Sequence, residues 1–183
     1  QICNSRYAID YTKFDLKIKN IGLKNLYIKD ISLKLIGKYN VLNATGAIAL
    51  CLNLGLKIKT IKKALKNFSG VQRRLTKVFK KNKVEFYDDY AHHPTEIKSV
   101  LEAIRKVSPK KKIITIFQPH RYSRVRTLNL EFATCFKNSD QLILCPVYAA
   151  GETVDKKYNQ FKFAKLISKF SKTQVVIIKD ELD

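Results

Sequence analysis

Two short runs hold the side chains in this sequence best suited to moving a proton or gripping an anion. The first, Asp88-Asp89-Tyr90-Ala91-His92-His93-Pro94-Thr95-Glu96, gathers carboxylates, a phenol and two of the chain's three histidines. The second, Phe117-Gln118-Pro119-His120-Arg121-Tyr122-Ser123-Arg124, supplies the third histidine and two arginines, with Arg126 close behind. Imidazole exchanges a proton near neutral pH, and the planar guanidinium fork matches a carboxylate or phosphate. Together they suit a site that does chemistry beside a bound carboxylate or phosphate. Each run also has a plainer account. Asp88 and Asp89 can cap a turn, His92 and His93 can be ordinary surface or half-buried residues, and Arg121, Arg124 and Arg126 can be solvated at a helix start. Arginine there opposes the helix dipole, which speaks for an anion nearby.

The elements around these runs put them at the ends of strands. Val84-Glu85-Phe86-Tyr87 reads as a strand, and a helix begins at about Pro94, because proline suits a first helical turn that does not need its N–H. Ile97, Val100, Leu101, Ile104 and Val107 recur at helical spacing, with Lys98, Glu102, Arg105 and Lys106 on the other face. The second run follows the apolar stretch from Ile113 to Phe117, and a third loop, Val147-Tyr148-Ala149-Ala150-Gly151-Glu152, follows the next strand. Strands centred near Phe86, Thr115, Leu144 and Val176, spaced about thirty residues apart with helical stripes between them, predict an α/β fold with a parallel, mostly buried sheet. The stripes include Leu128, Phe132, Cys135 and Phe136, then Phe163, Leu166, Ile167 and Phe170. All three loops then share one rim at the carboxyl ends of the strands, where such sheets put their ligands.

The first third reads differently. Phe14, Leu16 and Ile18, then Leu23, Leu26 and Ile28, then Ile31, Leu33 and Leu35 alternate as antiparallel strands do, with Gly22 and Asn25 at breaks. These strands make no tidy core alone, so they are expected to edge a larger sheet. From Tyr39 the period becomes helical, through Val41, Leu42, Thr45, Ile48, Ala49 and Leu52 to Gly55. A second helix follows through Ile58, Ile61 and Leu65, giving a helical hairpin. A boundary is expected after Gln72, dividing the chain into 1–72 and 73–183.

Composition narrows the class. With 183 residues there is enough chain for one full core or parts of two domains. No methionine occurs and Gln1 comes first, so the chain reads as a piece of a longer product. No apolar run approaches the ~20 residues needed to cross a bilayer, and no signal-peptide pattern opens the chain. Cys3, Cys51, Cys135 and Cys145 are too scattered for a metal or redox pair and fit a reducing cytoplasm. The net charge of +21 is spread along the whole sequence and is mostly lysine. A basic nucleic-acid-binding module is the alternative it raises, but no zinc finger, glycine-aromatic RNA motif or basic-aromatic interleaving supports it. Arginine is scarce, so its clustering at 73–74 and 121–126 is more telling. No phosphate-binding G-x-x-x-x-G-K-[ST] loop occurs, since Gly37-Lys38 lacks both the earlier glycine and the hydroxyl residue.

Several motifs in order now resemble one family. They are Gly37-Lys38-Tyr39-Asn40-Val41-Leu42-Asn43-Ala44, Phe68-Ser69-Gly70-Val71-Gln72-Arg73-Arg74, Asp88 through Glu96, Phe117 through Arg124, and Val147 through Glu152. The sequence resembles the Mur ligases of peptidoglycan synthesis from about Gly37 to Glu152. Pro119 to Arg124 favours the branch that adds L-alanine to UDP-N-acetylmuramate over the branch that recycles murein tripeptide. The resemblance implies an ATP- and Mg2+-dependent ligase with an acyl-phosphate intermediate. Residues 1–72 would be the end of the central ATPase domain, and 73–183 most of a C-terminal Rossmann-like domain. The UDP-sugar domain, the phosphate loop and the magnesium ligands would lie outside this chain, and no metal ligand is assigned within it. By matching motifs, Arg121 and Arg124 would clamp the alanine carboxylate, Tyr90, His92 and His120 would line its pocket, and His92 and His120 would be the catalytic candidates. Asn40 and Asn43 would lie on the adenine side, while Arg74 and Asp89 would contact nucleotide phosphate or ribose. Tyr39 stands where the family usually has histidine, and Leu75 where it has an aromatic residue.

Overall fold

The computed structural model describes residues 1–9, 11–21 and 24–179, so the expected break at Gly22 and the strand residue Leu23 lie outside the described residues. The chain forms two compact units, one made of 1–90 with 106–109 and the other of 91–105 with 110–183.

In the first unit, β1 (Ile2–Tyr7), β2 (Thr12–Ile21) and β3 (Lys24–Leu33) form an antiparallel sheet in that order. Phe14 pairs with Ile31 and Leu16 with Ile28, so β3 carries one more residue than β2 across this step. The extra residue bends the chain at Asp30, which is left-handed at φ 53°, and both isoleucines therefore reach the same buried face. The Asp15 carboxylate pins the bulge by accepting the Asp30 N–H at 2.9 Å. Helices α1 (Lys38–Asn53) and α2 (Ile58–Asn67) are the expected hairpin. Their Val41, Ala44, Ile48 and Ile61 close over Phe14, Leu16, Ile28, Ile31 and Leu33. The three strands thus share a core of their own with the helices, which the expectation of an incomplete sheet did not foresee.

The strand at Phe86 is the main correction. β5 (Val84–Asp88) pairs antiparallel with β4 (Thr76–Lys81) in a separate two-stranded sheet instead of joining a parallel one. The two-residue connection Asn82-Lys83, with Asn82 left-handed at φ 54°, makes a local hairpin, and the Phe79 and Phe86 rings stack 4.0 Å apart across it. Even spacing along the chain could not reveal this, because β4 is short, lysine-rich and mostly exposed.

The second unit holds the parallel sheet, in the order β6 (Ile114–Phe117), β7 (Gln141–Leu144) and β8 (Gln174–Ile177). One face carries Phe117, Leu142 and Leu144. With Ile97 and Leu101 of α3 (Pro94–Val107), Val125 of α4 (Tyr122–Thr127), Phe132 of α5 (Asn129–Cys135) and Phe163 and Ile167 of α6 (Gln160–Ser171) they form one core. The other face is less covered than a mostly buried sheet requires, since Ile114 and Ile116 are 53% and 65% exposed. Polar residues tie the layers together: Arg105 donates to the Lys111 and Asn138 carbonyls and to Asp140, whose carboxylate also accepts the Ile113 N–H. These two bonds, the Ile113 amide first, hold Asp140 below the usual carboxylate range. Arg105, expected on a solvated face, is therefore a clasp between α3 and the ends of β6 and β7.

Candidate functional site

The site in the second unit is built where β6 and β7 end. Parallel pairing continues past the strands as an isolated bridge between His120 and Tyr148. The Arg121 N–H reaches the Tyr148 carbonyl at 2.8 Å, and the Tyr148 N–H reaches the Pro119 carbonyl at 2.8 Å. This ladder fixes the second and third loops edge to edge. It also holds Arg121 at φ 72° and ψ 130°, a conformation nearly confined to glycine and costing on the order of 1–3 kcal/mol in other residues. Arg121 is the cap residue of α4, so the strain sits at the point where the chain turns into the helix that carries Arg124.

The first loop reaches the same rim from the start of α3. His92 and His120 have ring centroids 6.1 Å apart, and His120 lies 5.5 Å from the Tyr148 ring. The expected convergence of His92, His120, Arg121 and Arg124 is thus present within this unit, although β5 is not a strand of the parallel sheet. Arg124 donates from one nitrogen to both the His120 carbonyl and His120 Nδ1, each at 3.2 Å. Guanidinium has no lone pair to give, so Nδ1 must be the acceptor and the neutral ring carries its proton on Nε2. Burial first, then the Arg124 and Arg121 charges, hold His120 below its ordinary value of 6.5. His120 is accordingly a neutral hydrogen-bond donor whose other nitrogen is occupied. His92 is set differently: the Glu96 carboxylate stands 3.7 Å from its Nδ1.

His93 and Glu96 have local work. His93 Nδ1 accepts the Thr95 N–H at 3.3 Å, and Glu96 accepts the His92 and His93 N–H groups at 3.1 and 3.2 Å. This is a capping box with histidine in the usual serine position.

Glu152, which sequence reasoning left without a role, supplies an anion at the start of α4, whose first turn has no acid of its own. Its carboxylate accepts the Ser123 hydroxyl and the Ser123 N–H, the latter at 3.0 Å, and these bonds hold it below the usual carboxylate range.

The remaining candidates lie in the first unit. Asn40 and Asn43 are three residues apart on α1, the spacing of side chains on one helical face. Asn40 donates to the Ile36 carbonyl at 2.8 Å. The Tyr39 hydroxyl beside it is buried with no partner at hydrogen-bonding geometry among the described residues. Burial, with the Asp89 carboxylate adding to it, pushes that phenol up to about 12. Asp89 does cap a turn: it accepts the Leu75 N–H at 2.7 Å where Arg73 and Leu75 are both left-handed. Arg74 is exposed in the same turn, and the Arg73 guanidinium lies 4.7 Å from the centre of the half-exposed Tyr90 ring. Among the described residues no cluster of three or more His, Cys, Asp or Glu side chains could hold a metal ion, and no helix is long and apolar enough to cross a membrane.

Comparison with known proteins places these features in context. Residues 73–182 match the family profile described as Mur ligase, glutamate ligase domain. The chain is 45% identical over 180 residues to the UDP-N-acetylmuramate–L-alanine ligase of Pelagibacter ubique, covering 98% of this chain and 39% of that protein. It is 46% identical over 151 residues to the enzyme of the same name from Agrobacterium fabrum, covering 81% of this chain and 32% of the relative. Among solved structures, it is similar to the UDP-N-acetylmuramate-alanine ligase MurC of Thermotoga maritima, with a TM-score of 0.75 at 26% identity over 98% of this chain and 37% of that one. The chain therefore spans well under half the length of the relatives it matches.

Proposed function

The chain belongs to the Mur ligase family, and from that premise we propose that it is part of an ATP-dependent, cytoplasmic ligase joining L-alanine to UDP-N-acetylmuramate in peptidoglycan precursor synthesis. The single observation that carries this reading is the meeting of two imidazoles and the Arg121–Arg124 pair on one rim of the second unit. A free amino acid presents a carboxylate to be held and an ammonium that must lose a proton before its nitrogen can attack. Arg121 and Arg124 hold the carboxylate, and a guanidinium fork does so with fixed geometry. His120, neutral and protonated on Nε2, orients the substrate by donating a hydrogen bond. His92, with Glu96 at 3.7 Å from its Nδ1, takes the ammonium proton in this reading. The amine then attacks the sugar carboxylate, which ATP has activated as an acyl phosphate, and phosphate leaves. Tyr90 lines the amino-acid pocket by family resemblance.

Residues 1–72 are the end of the ATPase domain in this reading, and the first unit also takes in residues 73–90, which fall within the matched C-terminal profile. Asn40, Asn43, Arg74 and Asp89 face the nucleotide in this reading, and the orphaned Tyr39 hydroxyl fits a polar edge of an adenine ring. Mg2+ is held by residues of the same protein outside this chain, as are the UDP-sugar domain and the phosphate loop, so residues 1–183 alone turn nothing over. The test is phosphate release by the full-length protein with ATP, Mg2+ and UDP-N-acetylmuramate. Release that depends on L-alanine supports the reading, and a preference for the murein tripeptide overturns it.

A further inference from the structure

The carboxylate of Glu152 has no part in the scheme above, yet both of its oxygens are hydrogen-bonded to Ser123 beside the proposed arginine pair. It arrives through two successive left-handed residues, Ala150 at φ 50° and Gly151 at φ 86°, closed by a bond from the Glu152 N–H to the Ala149 carbonyl at 3.1 Å. No heavy atom would meet a Cβ at Gly151 within 4 Å, so the turn uses glycine for its backbone and not for space. One Glu152 oxygen takes the Ser123 amide and the other the Ser123 hydroxyl, which fixes both the main chain and the side chain of the second residue of α4. Ser123 stands between Arg121 and Arg124 in sequence, so whatever fixes it fixes the angle between them.

We propose that Glu152 is a positioning residue for the amino-acid substrate: it locks the first turn of α4 so that Arg121 and Arg124 present their guanidinium groups at one spacing. The inference rests on the reading that this pair binds the amino acid. Its consequence is separable, because the hydrogen bonds of the carboxylate go to Ser123 and not to either guanidinium group.

The experiment is steady-state kinetics of the full-length ligase with Glu152→Ala, Glu152→Gln, Ser123→Ala and Arg124→Ala. Glu152→Ala is expected to raise the KM for L-alanine by about fivefold or more while the KM for ATP stays within about twofold, the split that marks lost substrate binding instead of general loosening. Glu152→Gln, which still accepts the amide and can donate to the hydroxyl oxygen, should recover most of the affinity. Should Glu152→Ala fail to fold, Ser123→Ala, which removes only the hydroxyl bond, is expected to raise the L-alanine KM about two- to fivefold. An unchanged L-alanine KM in both Glu152→Ala and Ser123→Ala, or equal rises for L-alanine and ATP, overturns the proposal. Arg124→Ala separates the two failures. If it raises the L-alanine KM while the Glu152 and Ser123 variants do not, only the positioning role falls; if it too has no effect, the amino-acid pocket falls and the positioning role with it.

Discussion

Helices α3 and α4 begin at the same rim but by opposite means. α3 caps itself: His93 and Glu96 lie within its first turn and satisfy the amides of residues 92, 93 and 95. α4 has no side-chain cap from its own start, opens on a strained Arg121, and takes its anion from a loop 29 residues further along the chain. The lesson is that the first loop fixes its helix start with residues close in sequence, whereas the start of α4 is fixed by a carboxylate recruited across the sheet edge.

If that contrast is right, the largest effect falls on substrate binding. Arg124→Ala in the full-length protein should raise the L-alanine KM about ten- to a hundredfold, on the order of 1.5–3 kcal/mol, with the ATP KM nearly unchanged. A matching rise for ATP would make α4 an ordinary structural helix and erase the difference from α3. Next comes the cap of α3. Glu96→Ala should cost about 0.5–2 kcal/mol in urea unfolding, while Glu96→Gln, also a capping-box residue, should cost much less. No loss in either would mean that α3 is not self-capped.

The pH dependence probes the second loop directly. Burial and the two arginines favour the neutral form of His120 in the folded state. A depressed imidazole contributes stability that is present above the unfolded value of 6.5 and is lost as the pH falls through the lower folded value. An NMR titration should therefore find the His120 midpoint below 6.5, and Arg124→Ala should move it up toward that value, with burial still holding it lower. A midpoint that does not respond would remove Arg124 from the ring. The smallest effect is expected at His93, where asparagine also caps well: His93→Asn should change stability by less than about 0.5 kcal/mol. A loss of L-alanine affinity there would assign His93 to the chemistry.

Much of the fold follows from local pattern. The helical hairpin appears at Lys38–Asn53 and Ile58–Asn67, and α3 begins at Pro94, because a 3.6-residue apolar period and a proline N-terminus are properties of short segments. The parallel strands at Ile114, Gln141 and Gln174 were legible for the same reason. The partner of β5 was not, since a hairpin through Asn82-Lys83 and a crossover to a parallel neighbour draw on the same kind of strand, and β4 has too little apolar pattern to announce itself. The bulge at Asp30 was hidden because it breaks the two-residue alternation by which strands are recognised.

The candidate site divides in the same way. Residue types and matching motifs named His92, His120, Arg121 and Arg124 as candidates. That Arg124 fills one ring nitrogen of His120 and that Glu96 faces one of His92 are matters of 3.2 and 3.7 Å that exist only once the chain has folded. Glu152 is the clearest case: a lone glutamate in a loop is unremarked in sequence, and becomes the anchor of α4 because a parallel sheet brings the ends of β6 and β7 together. Side-chain chemistry is carried by each residue wherever it stands, but a hydrogen bond needs two groups within about 3 Å, and for groups distant in sequence only the packed chain can supply that.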